Sequence, residues 1–220
     1  MMKYALVTGA TSGIGAEYAH QLAEAGHNII VVSNRDGENG IMAERLRREC
    51  GVQAEPLYAD LAQADAAEKI YAWCRARQAE VDILVSNAGI LHFGLLTRTD
   101  TAAIDRIVTL HCTTPAKLCR LFAADMCRRG EGRILLMSSI TAWTPYPTMS
   151  LYGSTKAFLR NFGAALYLET RRSGVSVTTV FPGAVDTPLY DLTPQRRRLL
   201  RRLGLMMSAR EVARRALRAM

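Results

Sequence analysis

Six short apolar runs alternate with segments of helical periodicity along the chain, and this alternation constrains the fold more than any other feature. The runs are rich in β-branched residues and predict strands at 4–7, 29–32, 52–57, 81–85, 133–137 and 175–181. The segments between them carry apolar residues at helical spacing and predict helices at about 13–25, 38–50, 62–77, 102–129 and 150–173. Strand and helix in regular turn predict an α/β fold, a doubly wound parallel sheet of six strands with helices on both faces.

Glycines mark the ends of four predicted helices. Gly26, Gly51, Gly130 and Gly174 each stand just past a helical segment, where a left-handed C-cap is favoured. No Pro/Gly/Ser-rich linker and no internal repeat interrupts the pattern, so residues 1–220 are expected to form a single domain. In doubly wound sheets the ligand binds beyond the carboxyl ends of the strands. The residues directly after each apolar run are therefore the candidate functional residues.

Composition narrows the class of protein. No apolar run approaches the roughly 20 residues needed to span a bilayer, and the apolar stretch at the N-terminus is too short for a signal peptide. The five cysteines form no CxxC pair and the four histidines have no ligand spacing. We therefore expect a cytoplasmic protein with reduced thiols and no metal.

The net charge of +8 comes mainly from arginine, most densely at 195–202. Nucleic acid, an anionic membrane surface or an anionic substrate would each suit such a run, but a solvated helix face near a substrate loop is the simpler interpretation. The chain lacks interleaved aromatic residues and any recognition motif, so no nucleic-acid partner is expected.

A glycine-rich turn follows the first predicted strand. It reads Thr8-Gly9-Ala10-Thr11-Ser12-Gly13-Ile14-Gly15 and leads into a predicted helix. Glycines here permit a tight turn and let the backbone approach a diphosphate, which the N–H groups and dipole of a helix N-terminus attract. The spacing is GxxxGxG and not the GxGxxG of the general dinucleotide fingerprint. The candidate dinucleotide-binding residues of this turn are Gly9, Thr11, Ser12, Gly13, Ile14 and Gly15.

This turn resembles the glycine motif of the short-chain dehydrogenases/reductases, a family with a Rossmann-type fold, and the resemblance covers nearly the whole chain. Asp60, followed by Leu61, comes after the third predicted strand as the family's adenine-side acid does. The segment Asn87-Ala88-Gly89 is similar to the family's NAG motif, which stabilises the centre of the sheet beside the cofactor. Pro182-Gly183, Val185 and Thr187 resemble the PGxVxT motif, whose threonine binds the nicotinamide carboxamide. The resemblance implies that these residues hold a nicotinamide cofactor.

The end of the second predicted strand bears on which nicotinamide cofactor binds. By the same resemblance, Ser33 stands at the position where NAD-dependent members carry an aspartate. That aspartate accepts a hydrogen bond from the ribose 2′-OH. The Arg35 guanidinium and the Ser33 hydroxyl suit a 2′-phosphate instead. Asp36 opposes this interpretation, and the glycine turn lacks the basic residue of many NADP-dependent members. On balance Ser33, Asn34 and Arg35 favour NADP(H) over NAD(H).

Tyr152 and Lys156 stand four residues apart in a predicted helix, so their side chains share one face. A tyrosine titrates near pH ~10 on its own, and a neighbouring ammonium favours its ionised form. Ser139 lies at the end of the fifth predicted strand, where its hydroxyl can stabilise a developing alkoxide. The three residues resemble the family's catalytic pattern. The resemblance implies hydride transfer to a carbonyl carbon, with Tyr152 as proton donor, Ser139 orienting the oxygen and Lys156 holding the nicotinamide ribose.

His111 departs from the family's pattern. Many members carry an asparagine in the long helix before the fifth strand, where it relays protons from bulk water to the lysine, and aligning 110–115 on that segment places His111 there. A histidine both donates and accepts hydrogen bonds, so His111 is a candidate relay residue; a core histidine with one satisfied nitrogen is the alternative.

The remaining expectations concern substrate and assembly. Residues expected around the nicotinamide are mostly apolar and suit a hydrophobic ketone or aldehyde: Ala88, Gly89, Ile90, Leu91, His92, Phe93, Trp143, Tyr146, Pro182 and Leu189. The resemblance implies a homodimer or homotetramer formed through the two long helices, and a seventh strand that this sequence lacks. A second hypothesis is a catalytically weak NADP(H)-binding sensor or scaffold protein.

Overall fold

A six-stranded parallel sheet forms the centre of the molecule. The computed structural model describes residues 2–189 and 193–220. The sheet strands are β1 Met2–Thr8, β2 Asn28–Ser33, β3 Ala54–Tyr58, β4 Ala79–Ser86, β5 Gly132–Met137 and β6 Val175–Val180. They pair in the order β3-β2-β1-β4-β5-β6, so the strand order reverses between β1 and β4. The prediction of a doubly wound sheet with six strands is confirmed.

Helices cover both faces of the sheet. They are α1 Gly13–Glu24, α2 Asp36–Cys50, α3 Ala66–Ala76, α4 Thr101–Val108, α5 Thr114–Arg129, α6 Ser150–Thr170, α7 Pro194–Arg202 and α8 Ala209–Ala219. Alternate strand residues point to opposite faces, so β1 sends Ala5 and Val7 into the core beneath α1, α2 and α8. Leu6, between them, enters the second core, which α3, α5 and α6 cover.

Glycine ends several helices as the sequence predicts. Gly51 and Gly130 have φ of 70° and 80° and form left-handed caps of α2 and α5. Gly26 and Gly174 also have positive φ and follow α1 and the short 3₁₀ helix Arg171–Ser173. These glycines turn the chain from each helix into the next strand, so they fix where the following strand begins.

Two predicted helix ranges need correction. The segment predicted as one helix at 102–129 is helical throughout, but it divides into α4, a π-helical turn at Thr109–Thr113, and α5. A π turn inserts one residue into the helical repeat, so side chains beyond it face a different direction. The helix predicted from residue 62 begins at Ala66 instead, because the Asp60 carboxylate accepts a hydrogen bond from the backbone N–H of Ala62 and holds a separate turn.

A small second sheet of two parallel strands was not predicted. Its strands are β7 Val185–Asp186 and β8 Met207–Ser208. The backbone N–H of Met207 donates to Ala184 O at 3.0 Å, and an Arg201–Asp186 ion pair spans 3.3 Å between the same two regions. The chain around α7 is thereby tied back to the segment that follows β6.

Candidate active site

One cleft of about 540 Å³ lies at the carboxyl ends of the strands, across the point where the strand order reverses. Each candidate catalytic or cofactor-binding residue from the sequence lines this cleft except Gly15 and His111. The convergence follows from the topology, because the carboxyl ends of parallel strands meet at the same edge of a sheet. Gly15 and His111 lie behind the wall of the cleft, and both shape it from there.

The glycine turn wraps closely around the end of β1. Gly9 has a φ of +66°, and its N–H donates to Val32 O at 2.8 Å, which brings β1 and β2 together. A Cβ at Gly15 would overlap the carbonyl oxygen of Gly9, so a side chain at position 15 would push α1 away from the turn. Only glycine keeps the helix N-terminus this close to the cleft.

The N-terminus of α1 suits an anionic group. Ser12 occupies the N-cap position with extended backbone, yet its side chain makes no capping hydrogen bond, and the first turn of α1 contains no acidic residue. The first N–H groups of α1 therefore lack a capping side chain at the wall of the cleft. A diphosphate is the group that such a helix end binds through its N–H groups and dipole. These residues fit a dinucleotide.

Thr8 and Asn87 fix the centre of this edge. The Thr8 hydroxyl accepts hydrogen bonds from the backbone N–H groups of Asn87 at 2.9 Å and Ala88 at 3.0 Å. The Asn87 side chain donates in return to Thr8 O at 3.0 Å. These bonds join the ends of β1 and β4 and hold the 87–89 segment open towards the cleft. Thr8 was not predicted as a site residue, although it stands in the same turn motif.

The Ser33 hydroxyl is already engaged within the protein. It donates to Asn39 Oδ1 at 2.6 Å and accepts from the backbone N–H of Arg35 at 3.1 Å. The Asn39 amide then donates to the carbonyls of Ser33 and Leu57, which clamps the ends of β2 and β3. Arg35 is therefore the residue of this segment that presents charged donors, and its guanidinium pairs with the Glu38 carboxylate at 3.2 Å on an exposed surface.

The three candidate catalytic side chains are buried at the inner wall of the cleft. Ser139, Tyr152 and Lys156 are 8%, 8% and 5% exposed. Ser139 ends the loop after β5, and its hydroxyl accepts from the backbone N–H of Thr141 at 3.2 Å. Tyr152 and Lys156 lie one turn apart on α6, with the ammonium nitrogen 5.5 Å from the centre of the tyrosine ring. The structure thus brings together the three residues that the sequence pattern singles out.

Lys156 is a buried cation. Its Nζ donates to Met137 O at 2.9 Å. Burial lowers the pKa of Lys156 to about 8, because the protein replaces the water that would stabilise the ammonium. The side chain is still mostly protonated at neutral pH, so its positive charge reaches the Tyr152 ring through a poorly solvated interior.

His111 is 1% exposed and lies in the π turn between α4 and α5. Its Nε2 accepts from the backbone N–H of Ile90 at 3.0 Å, and its Nδ1 lies 2.9 Å from the Thr155 hydroxyl. The imidazole also contacts the Tyr152 ring edge to face, with the ring centres 5.8 Å apart. The sequence places His111 beside the catalytic pattern, and the structure shows which groups it touches.

The substrate end of the cleft is only partly as expected. Ile90, Leu91 and Leu189 line it and give it an apolar wall. His92, Phe93, Trp143 and Tyr146 do not line it. The Trp143 side chain, 63% exposed, packs against Phe181 and under the Arg160 guanidinium on the outer surface.

Sequence reasoning missed several lining residues, among them Arg106. It lies on α4 and lines the cleft. The π turn between α4 and α5 shifts the helical repeat, so one continuous periodicity over both helices does not give the direction of the Arg106 side chain. The other missed residues are Ala59, Leu110, Met137, Ser138 and Pro188. Most of these stand beside a predicted site residue, so a wider window around each strand end would have found them.

Two kinds of feature are absent from the described part of the chain. No helix within residues 2–189 and 193–220 is long and apolar enough to cross a bilayer. Within the same ranges no three His, Cys, Asp or Glu side chains are grouped closely enough to hold a metal ion.

Known proteins show the same organisation. Residues 3–197 match the family model described as short chain dehydrogenase. An uncharacterized oxidoreductase of Bacillus subtilis is 36% identical over 192 residues, which cover 87% of this chain and 78% of the relative. Other curated relatives are longer, and the chain spans 57–66% of the length of several of them.

Two solved structures share the fold and about a third of the sequence. One is the bulky-bulky ketone specific alcohol dehydrogenase from Comamonas testosteroni, with 32% identity and a TM-score of 0.85 over 99% of this chain and 81% of that one. The other is a short-chain dehydrogenase from Sphingobium yanoikuyae in complex with NADPH, with 33% identity and a TM-score of 0.87 over 99% and 83%. By family model, sequence and fold, the chain belongs to the short-chain dehydrogenase family of nicotinamide-dependent oxidoreductases.

Proposed function

We propose that the chain transfers a hydride between NADP(H) and a carbonyl or alcohol substrate, most suitably a hydrophobic ketone or aldehyde, with Tyr152 as the proton donor. The observation that carries the proposal is the burial of Ser139, Tyr152 and Lys156 on one wall of a cleft that also presents an uncapped helix N-terminus. A sensor or scaffold protein would need the helix end but not the three buried side chains.

Each of the three side chains has a defined task in this proposal. The nicotinamide ring supplies or accepts the hydride. Tyr152 donates its phenolic proton to the carbonyl oxygen as the hydride reaches the carbon. The Ser139 oxygen already accepts from Thr141, so it retains its proton for donation to the substrate oxygen. Developing charge on that oxygen is thereby met by two donors in a poorly solvated site.

Lys156 supports the tyrosine and the ribose. Its ammonium has three protons, of which Met137 O takes one. Two remain for the ribose hydroxyls and the tyrosine oxygen. Because the pKa of Lys156 is about 8, the side chain is charged at neutral pH and favours the phenolate that remains after proton transfer.

The NADP(H) preference rests on charge at the end of β2. No acid stands at position 33, and Arg35 lines the cleft. A guanidinium forms strong charge-assisted hydrogen bonds with a phosphate. The solved structure of the Sphingobium relative, 33% identical, is of a complex with NADPH. Michaelis constants for NADPH and NADH test this part, and a lower constant for NADH would contradict it.

The substrate class rests on the apolar wall formed by Ile90, Leu91 and Leu189. The Comamonas relative acts on bulky ketones by its name, which fits such a wall. A spectrophotometric screen of NADPH oxidation over aromatic, steroid-like and aliphatic ketones and aldehydes tests the class. Turnover confined to small polar carbonyls would contradict it.

Tyr152→Phe tests the mechanism, and Tyr167→Phe is its matched control. Tyr152→Phe removes the proton donor alone, so we expect cofactor affinity to stay within about threefold and turnover to fall by at least about 100-fold, the size of a general-acid contribution. Tyr167 lies on the same helix but is exposed, and its variant should keep full turnover. Near-normal turnover of Tyr152→Phe would exclude the mechanism.

The proposal includes a cytoplasmic, homo-oligomeric enzyme. All five cysteines are free thiols, which suits a reducing compartment. Phe158 and Leu168 on α6 are exposed apolar side chains of the kind that a subunit interface buries. Light scattering after size-exclusion chromatography measures the mass, and a 24.3 kDa particle would contradict assembly.

A further inference from the structure

His111 has one partner on each side of its ring. On one side Nε2 accepts from the backbone N–H of Ile90 at 3.0 Å. A backbone N–H is only a donor, so Nε2 must carry a lone pair and no proton. The imidazole is therefore attached to the segment after β4 through its unprotonated nitrogen.

The other partner fixes the remaining proton. Nδ1 lies 2.9 Å from Thr155 Oγ1, and the Thr155 hydroxyl donates its single proton to Tyr152 O at 2.8 Å. Thr155 Oγ1 consequently has only lone pairs to offer, so Nδ1 must be the donor. The hydrogen bonds select the neutral tautomer with its proton on Nδ1.

The surroundings oppose a second proton on the ring. Burial and the nearby Lys156 ammonium lower the pKa of His111 well below the usual value for histidine. Tyr152 contributes its ring edge to the same pocket from α6. A charged imidazole would also lose the hydrogen bond from Ile90, since Nε2 would then carry a proton facing another proton.

The neighbouring backbone leaves room for a ring of this size. A Cβ at Gly89 would come within 2.9 Å of His111 Nε2, so a side chain at position 89 would push the imidazole off Ile90. Gly89 and Ile90 belong to the segment that lines the cleft, whereas Thr155 stands between Tyr152 and Lys156 on α6. The imidazole thus joins the wall that faces the nicotinamide end to the helix that carries the catalytic pair.

We infer that His111 is a positioning residue: a fixed neutral bridge that holds the 87–90 segment and α6 in register and transfers no proton during turnover. The inference deepens the proposed function, because it assigns to the histidine a task beside the Tyr152 and Lys156 pair. It also separates the two roles that the sequence leaves open. A bridge needs a lasting hydrogen bond at both ring nitrogens, whereas a proton relay needs one nitrogen to gain and lose a proton.

The tautomer is measured without turnover. In protein labelled with ¹⁵N-histidine, the His111 signals are identified by their loss in His111→Asn. We expect the pattern of an Nδ1-protonated neutral ring that stays unchanged from about pH 5.5 to pH 8.5. A ring protonated on Nε2, or one that titrates within this range, would overturn the inference even if the enzyme is active.

Paired variants test the bridge in the active enzyme. Thr155→Val keeps the shape of the side chain but removes the acceptor for Nδ1, whereas Thr155→Ser keeps the hydroxyl. We expect kcat of Thr155→Val to fall about 10- to 100-fold, the usual cost of a misplaced catalytic group, and kcat of Thr155→Ser to stay within about threefold. Equal kcat for the two variants would contradict the bridge.

A second pair separates positioning from proton transfer. His111→Gln retains an acceptor and a donor but cannot titrate, and His111→Phe retains only the ring shape. A bridge predicts that His111→Gln keeps kcat within about fivefold with an unchanged pH profile, while His111→Phe loses about 10- to 100-fold. If kcat of His111→Gln falls as far as kcat of His111→Phe, the wild-type side chain transfers protons and the inference fails.

Discussion

Lys156→Met is expected to stabilise the protein while it abolishes catalysis. The ammonium is buried at the inner wall of the cleft, and Met137 O accepts one of its protons. Its pKa falls from 10.5 to about 8 on folding because burial removes water from the charge. At ~1.4 kcal/mol per pH unit, this difference corresponds to a folding cost of about 3 kcal/mol at neutral pH. Methionine has a similar length and no charge, so the variant avoids that cost.

The net effect is smaller than the cost of desolvation. Removing the ammonium leaves Met137 O without that hydrogen bond, which costs about 1 kcal/mol. We therefore expect the free energy of unfolding of Lys156→Met to exceed that of the wild type by about 2 kcal/mol near pH 7. For a protein of this size Tm rises roughly 2–4 °C per kcal/mol, so the variant should melt roughly 4–8 °C higher.

The difference in free energy of unfolding between wild type and Lys156→Met should shrink as the pH rises. The lysine pKa is lower in the folded state, so the unfolded chain binds more protons between about pH 8 and pH 10.5, and wild-type stability gains from this group as the pH rises. The gain amounts to about 2 kcal/mol between pH 7 and pH 9.5. Buried thiols act in the opposite direction, since burial raises the pKa of Cys74 and Cys119 to about 12, but both proteins contain them. The two stability curves should therefore converge near pH 9.5.

Urea unfolding of the cofactor-free proteins at intervals from about pH 7 to pH 9.5 measures this difference. Lys69→Met is the matched control, because Lys69 on α3 is exposed and forms a surface ion pair with Asp65. Its effect should stay within about 0.5 kcal/mol at every pH. If Lys156→Met is no more stable than wild type near pH 7 and the two curves run parallel, Lys156 is not desolvated by folding and the reasoning fails.

Two further predictions concern cofactor choice and packing. Glu38→Gln removes the exposed ion pair to Arg35, which is worth a few tenths of a kcal/mol. KM for NADPH should therefore fall about twofold, with KM for NADH unchanged. Steady-state kinetics measure both constants, and an equal change for both cofactors would contradict the prediction. Gly163→Ala places a methyl group against Thr179 where α6 packs on β6 and should cost about 1–3 kcal/mol, whereas Gly40→Ala on the open surface of α2 should gain up to about 1 kcal/mol. Urea unfolding measures the free energy of unfolding of both variants, and equal values for Gly163→Ala and Gly40→Ala would refute the packing argument.

The six strands could be predicted because each depends on local sequence, and so could the edge of the sheet at which the candidate site residues lie. β-branched runs gave the six strands, and Gly51 and Gly130 marked helix ends by their left-handed conformation. The motif residues follow strands, so a parallel sheet brings them to one edge whatever its details. This is why Ser139 and Tyr152 line the same cleft as the glycine turn, although both are distant from that turn in the sequence.

Features that depend on one extra residue or on distant contacts could not be predicted. The π turn at 109–113 adds a single residue to a helical repeat, and apolar periodicity on either side continues without a break. The β7–β8 pair has two residues in each strand, too few for a pattern. Phe93 and Trp143 are apolar residues beside motif residues, yet they lie outside the cleft because the loops that carry them turn outward.

The burial of Lys156 explains why a histidine is compatible with this site. A second cation beside Lys156 in a poorly solvated pocket would lower the lysine pKa further and oppose the charge that the proposed mechanism needs. A neutral imidazole, with Nε2 bound by Ile90 and Nδ1 by Thr155, adds no charge and still joins the two walls of the site. A ring that titrated near neutral pH would couple the charge of Lys156 to that of His111. The fixed tautomer and the charged lysine therefore depend on each other, and a variant that allowed His111 to protonate should lower the pKa of Lys156 as well.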